Sequence, residues 1–300
     1  MFTRFLFLSL LLITSCGSSK EEKVESAIDQ ALTHLSSNKC DDALKILKDG
    51  KDFENPVYLQ VLSSAYACKA GIEVVEVITE LEDFNATKVL NELSTKKFAQ
   101  TTNLDSYHYL NKSLETIFNS TAQTSQAARE EAFGTRKGQD LGMQALLYSI
   151  VEVSKFVNYF GNTETGQKGD GQGSNRCFLD YSNNLLLFNL LPATNSCVSE
   201  TDGHALLDLT KEEGKAYACQ GVLLINNALD ILESIKFGNS EELKSLKKIS
   251  EKISNLRDFI ITVDPSLESL FSIRDQEACL DLENEKIQTF IFSIYEVGFE

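Results

Sequence analysis

The sequence predicts an all-α protein, with N-terminal helical hairpins followed by a larger helical bundle. Three observations predict it. Apolar residues recur at intervals of three and four in one segment after another, the period of a helix face packed on a core. Two of the three prolines, in Asn55-Pro56 and Asp264-Pro265, sit where a helix tolerates proline, at its first position. The breaks between segments carry glycine or small polar residues, as in Gly50, Gly71 and Gly238-Asn239. A chain of 300 residues is long enough to bury a sizeable core.

Val24, Ala27, Ile28, Ala31, Leu32 and Leu35 define a first helix, broken at Ser37-Asn38-Lys39. A second is predicted from Cys40 to about Asp49, with Ala43, Leu44 and Leu47 on its apolar side. The third opens at Asn55-Pro56, turns Leu59, Leu62, Ala65 and Tyr66 inward and stops near Gly71. Ile72 to Leu81 is rich in β-branched residues, which favour strands. Ile72, Val75, Ile78 and Thr79 also share one helical face, and with helices on both sides the segment is read as helix. A shorter segment carries Val89-Leu90 and Leu93, and residues 95–103 read as a linker.

Beyond it, a helix from Leu104 to about Phe118 presents Tyr107, Leu110, Leu114, Ile117 and Phe118 to a core. A short helix is expected around Ala127 to Phe133. Asp140 is a candidate N-cap for a long helix to Phe160, whose wide apolar face suits the centre of a bundle. Residues 161–176, with five glycines, read as a surface loop. A brief apolar segment follows at Leu185 to Leu191, then an irregular stretch from Pro192 to Gly203. One long helix is expected from about His204 to Lys236. Another starts at Ser240 and Glu241-Glu242, and a final helical set runs from Asp264-Pro265 to Tyr295.

Charge narrows the function classes. Lys and Arg number 28 against 44 Asp and Glu, for a net charge of −16. Such a surface repels phosphate backbones, so nucleic acid is a poor partner. No polybasic stretch is present to hold the chain on anionic lipid.

The N-terminus has the layout of an export signal. Arg4 gives a positive start, and Phe5 to Ile13 form an apolar stretch too short for a spanning helix. It ends in Ile13-Thr14-Ser15-Cys16, which resembles the lipobox of bacterial lipoproteins. That resemblance implies removal of residues 1–15, acylation of Cys16 and a bilayer anchor through its acyl chains. Two or more acyl chains suffice for stable attachment. Gly17 and Ser18 follow the cysteine. In that family the lack of Asp at the second position implies sorting to the periplasmic face of the outer membrane.

The stretches ALTHLSSNKCDDALKIL and NPVYLQVLSSAYACKAG resemble the tetratricopeptide repeat. Asp41-Asp42-Ala43-Leu44, Asn55-Pro56 and Ala65-Tyr66 stand at places of that pattern, which has an acidic start before an Ala-aliphatic pair and a proline that opens the next unit, though the signature Trp is absent. Generic helical hairpins give much the same pattern. The organisation expected is a signal at 1–15, a tether at 16–23, a hairpin or repeat-like region at 24–100 and a bundle at 101–300.

Besides Cys16 there are six cysteines, an even number that suggests disulfides in an oxidising compartment, although unpaired ones pack well as buried thiols. Cys40 and Cys68 stand nearly equidistant from a turn centred at Phe53, so an antiparallel hairpin brings them together. Cys177 with Cys197 would close the irregular middle. Cys219 with Cys279 would join the first and third of three up-down-up helices.

Candidate chemistry is sparse, and no catalytic residue, metal site or cofactor is expected. Gly161 and Gly166 precede Gln167-Lys168 instead of the Gly-Lys-Ser/Thr of a phosphate loop, and follow a helix instead of a strand. Asp170, Gln172 and Ser174 alternate oxygens, but the glycine and closing acid of a calcium loop are missing. His34, His108 and His204 are scattered. His204 and Asp208, four apart, could orient an imidazole, but read more simply as a helix-start ion pair. Tyr107, Tyr109, Tyr148, Phe156, Tyr159 and Phe160 could line a cleft, though their helical spacing reads as core. The functional expectation is a non-enzymatic scaffold or accessory subunit with an envelope protein partner. The alternative is a solute-binding or transport-accessory lipoprotein holding a small apolar ligand in its bundle.

Overall fold

A computed structural model describes residues 19–82, 89–100, 104–121, 124–161, 208–234, 244–263 and 265–299. Among these the chain is all helical, without a strand. The helices are α1 (Lys20–Leu35), α2 (Cys40–Asp49), α3 (Pro56–Lys69), α4 (Val74–Glu82), α5 (Val89–Thr95) and α6 (Leu104–Phe118). After them come α7 (Gln126–Phe133), α8 (Thr135–Gly161), α9 (Glu212–Ser234), α10 (Lys244–Val263), α11 (Gln276–Leu280) and α12 (Asn284–Phe299), with 3₁₀ segments at Lys97–Ala99 and Pro265–Ser272.

Local chemistry sets the first three helices. Ser19 and Glu22 form a reciprocal capping box on α1, so the outer half of the expected tether is already helix. Asn38 takes a left-handed φ of 58°, a conformation asparagine tolerates, and turns the chain into α2. The Asn55 side chain accepts from the Val57 and Tyr58 amides at the start of α3, and Pro56 supplies no N–H to orphan. Leu44, Leu47, Val61 and Leu62 fill the core between α1, α2 and α3.

Part of the expected linker is packed. Phe98 and Ala99, inside the expected linker, are buried and pack on α8, because an apolar pair there has a helix face to cover. The far side of α3 packs along α6, where the Ser113 hydroxyl donates to the Ser63 carbonyl at 2.8 Å and the Ser106 hydroxyl to the Ala70 carbonyl at 2.8 Å. Helix α3 thus belongs to two cores at once.

Helix α8 is the trunk, 27 residues long, with α6, α7 and α9 against it. It begins at Thr135, five residues before Asp140, since Gly134 at φ 79° stops α7 and the α8 spiral starts directly after it. Asp140 is an exposed residue within the helix. Gly221 of α9 gives Phe156 room: a Cβ there would lie 2.8 Å from the Phe156 ring. Tyr107, Phe156, Phe160 and Tyr217 stack around that crossing.

In α4 the inward residues are Val77 and Leu81, while Val75 is 76% exposed and Ile78 40% exposed. The face expected from Ile72, Val75, Ile78 and Thr79 is therefore the wrong one, apart from Ile72. Apolar residues cover most of the segment, with a polar row only at Glu73, Glu76 and Glu80, so several faces fit the helical period. The long helix expected from His204 begins only at Glu212, because Asp208 folds its carboxylate onto the Thr210 amide and hydroxyl in a turn. Local side-chain bonds of this kind compete with helix.

Candidate functional site

Helices α6 and α9 both lie on α8, side by side and running the same way: His108 meets Tyr217 near one end, with the Tyr217 hydroxyl 3.4 Å from His108 Nε2. At the other end Asp230 accepts from the Gln126 amide at 2.8 Å. Between them is a cleft of about 700 Å³. Its α6 wall is Asn111, Leu114, Glu115 and Phe118; its α9 wall is Gln220, Leu223, Leu224 and Asn227. Both sets follow the i, i+3, i+4, i+7 rhythm of one helix face. Arg274, Asp275 and Gln276 close one side.

The walls hold buried polar groups that the fold leaves unpaired. Asn227 is 3% exposed. Its amide nitrogen donates to the Leu223 carbonyl at 2.9 Å, which fixes the orientation of the amide and leaves Oδ1 as a buried acceptor without a partner. Gln220 Oε1 is likewise buried and unpartnered. Buried polar atoms are normally paired, so these two oxygens beside the cleft are exceptions.

Acid lies on and beneath the α6 wall. The Glu115 carboxylate accepts from Asn111 Nδ2 at 2.9 Å, and burial pushes its carboxyl upward. Glu152 of α8 is 1% exposed, with neither oxygen in a well-formed hydrogen bond. Burial first, then the Glu115 charge, hold its carboxyl well above the usual range. The neighbouring Tyr107 hydroxyl is pushed up by burial and by Glu152. The basic groups nearby donate to the fold, although the buried Arg129 Nη2 has no partner. Arg274 donates to the Phe271 and Ile273 carbonyls. Lys155, whose burial lowers it to about 8, donates to the Gln100 carbonyl at 3.3 Å. Arg129, lowered by burial to about 10, bonds Gln126 Oε1 and the Thr124 carbonyl.

Of the residues singled out in the sequence, Cys40 and Cys68 come together at disulfide distance, with Cα atoms 5.6 Å apart. Cys219 and Cys279 do so with Cα atoms 5.7 Å apart. The second pair arises differently from expectation. Cys279 sits on the short α11, which Asp275 caps by accepting from the Ala278 amide, and not on the long last helix. Gln276 Nε2 to the Ala216 carbonyl and Lys215 Nζ to the Leu282 carbonyl tie that segment along α9. Cys16, Cys177, Cys197, His204 and the glycine-rich loop after residue 161 lie outside the described residues.

His34 is 3.8 Å from Asp42 and far along the chain from the cleft. Tyr107, Tyr148, Phe156 and Phe160 are buried in the cores. Among the described residues no group of three or more metal-ligating side chains occurs, and no helix is long and apolar enough to cross a membrane. Sequence reasoning missed Glu115, Glu152, Gln220 and Asn227. The readable signal was Glu152 and Asn227, polar residues at core positions of α8 and α9. No family model matches the chain, and no curated protein or solved structure matches it.

Proposed function

We propose that the chain is a lipid-anchored envelope protein acting as a non-enzymatic scaffold or accessory subunit. Its address rests on the Arg4, Phe5-to-Ile13 and Ile13-Thr14-Ser15-Cys16 order, which resembles a lipoprotein signal and would put acyl chains on Cys16. Gly17 and Ser18 favour the periplasmic face of the outer membrane.

The observation that carries the interaction role is α4. A nine-residue helix turns Val74, Val75 and Ile78 to solvent, and clustered exposed apolar side chains mark contact sites between proteins. Packing of α1, α2 and α3 on one another supports the tetratricopeptide-like reading of that layer, a form that presents surfaces to partners. The alternative, a small apolar ligand inside the bundle, has less support: the aromatic residues that would line its pocket fill the cores.

A photo-crosslinking residue in place of Val75, in cells expressing the full chain, tests the role. One stoichiometric envelope protein should be captured, and should be lost when Cys16→Ala abolishes labelled palmitate incorporation. Absence of any adduct would refute the scaffold, and absence of palmitate in the unaltered chain would refute the address.

A further inference from the structure

We propose that the turn between α2 and α3 rests on the bilayer surface, with the Phe53 ring seated among the lipid head groups beside the acylated Cys16. The inference rests on the lipid-anchor reading and adds to it how the folded body stands on the membrane.

The tether is short. Only Gly17, Ser18 and Ser19 separate Cys16 from α1, which starts at Lys20. Four Cα steps span about 14 Å at full extension. The capping box of Ser19 and Glu22 fixes the start of the helix. Acyl chains on Cys16 would therefore hold the first turn of α1 near the head groups, together with whatever the fold sets beside that turn.

The fold sets the α2–α3 turn there. Lys20 Nζ lies 4.0 Å from Asp52 Oδ1. Gly50, directly after α2, meets α1 so closely that a Cβ on it would lie 2.9 Å from that of Ala27. The bridge between Cys40 and Cys68 marks the opposite end of the α2–α3 hairpin. Lys51, Asp52, Glu54 and Asn55 make the turn polar, and Phe53 is the exception. Its side chain is 54% exposed and stands edge-on to Tyr58, with ring centroids 5.8 Å apart.

An aromatic ring at the level of the head groups removes apolar surface from water, as on helices that lie in a membrane interface. Beside Phe53, Lys20 and Lys51 balance Asp52 and Glu54 in charge. The contact is therefore apolar and needs no anionic lipid. Helix α3, 14 residues long, carries the chain about 20 Å away before α4 begins, so the exposed Val75 face of α4 points away from this contact.

The chain has no tryptophan, so Phe53→Trp installs a single fluorophore. The acylated variant is reconstituted in phosphatidylcholine vesicles, with and without bromine on the lipid acyl chains. Its emission should shift to the blue relative to the same variant carrying Cys16→Ala in buffer, and should lose intensity to brominated lipid. Val75→Trp, treated alike, should show neither change. Equal quenching of both variants would overturn the orientation. A blue shift without quenching would put the ring against protein and overturn the lipid contact. Quenching that appears only after phosphatidylglycerol is added would overturn its apolar character. Unshifted, unquenched emission from protein shown by mass to be acylated would overturn the seating of Phe53 and leave the anchor standing. Protein without acyl chains would overturn both readings.

Discussion

The α1–α3 layer and the α6–α8–α9 trunk solve the same packing problem with opposite attention to polar groups. In the layer, interior polar atoms are closed off: the Tyr58 hydroxyl donates to the Leu47 carbonyl at 2.8 Å, and the Asn55 oxygen serves two backbone amides. In the trunk, Glu152, Asn226, Asn227 and Gln220 keep unpartnered oxygens. Among the described residues every buried side-chain atom without a partner belongs to the chain between Tyr107 and Asn227. A half-satisfied polar interior is costly. Natural chains that break local rules do so where a site is held. The difference separates a region whose buried side-chain polar atoms are paired from one that leaves several of them unpaired.

The largest way to probe that division is to cut the covalent ties. Cys219 and Cys279 close 60 residues, Cys40 and Cys68 close 28. By the chain-entropy relation, replacing the first pair by serine should cost about 4 kcal/mol and the second about 3 to 4 kcal/mol. Urea unfolding of the oxidised variants would measure both. A larger loss from Cys40 and Cys68 would mean that the layer depends on its crosslink more than on its filled core, and the contrast would fail.

A second probe is Glu152→Gln, which keeps shape and removes the ionisable group. The folded carboxyl is raised above its ordinary 4.5, so the native state holds a proton that the unfolded chain releases. Stability from this group is complete below about pH 4.5 and falls as pH rises toward the folded value, by about 1.4 kcal/mol per pH unit while the difference lasts. The variant should match the parent at acidic pH and exceed it near neutrality. Glu115, also raised by burial, contributes a slope of the same sign that the variant retains. Identical pH profiles by chemical denaturation would show that Glu152 is not held protonated.

How much of this was legible followed from the same division. Helices α1 to α3 were readable because caps, proline and apolar spacing agree at each level, and the Cys40 and Cys68 positions follow from hairpin symmetry. The face of α4 was misread because Val74, Val75, Val77 and Ile78 spread apolar residues over most of the helix, and only the Glu73, Glu76 and Glu80 row marks a polar side. The start of α9 was missed because the Asp208 turn looks like a capped helix in sequence. The cleft was hidden for another reason. Glu115 and Gln220 look like ordinary surface residues until tertiary contacts put their helices side by side on α8, and only Asn227 and Glu152, set among apolar neighbours, could have been suspected.

The finest test sets two asparagines against each other. Asn55 caps α3 with its side-chain oxygen, and Asn55→Ala should cost about 1 kcal/mol, because the Val57 and Tyr58 amides lose their acceptor while half-buried. Asn227 has a free buried oxygen, and its nitrogen bonds only the Leu223 carbonyl one helical turn back. Asn227→Leu removes an uncompensated polar atom and adds apolar surface to a wall that already holds Leu223 and Leu224, so stability should hold or rise. Amide hydrogen exchange would read both, with protection lost in the first turn of α3 for the cap variant and retained along α9 for the other. If both variants lost stability alike, the Asn227 oxygen would have a partner within the fold, and the trunk would differ from the layer in packing alone.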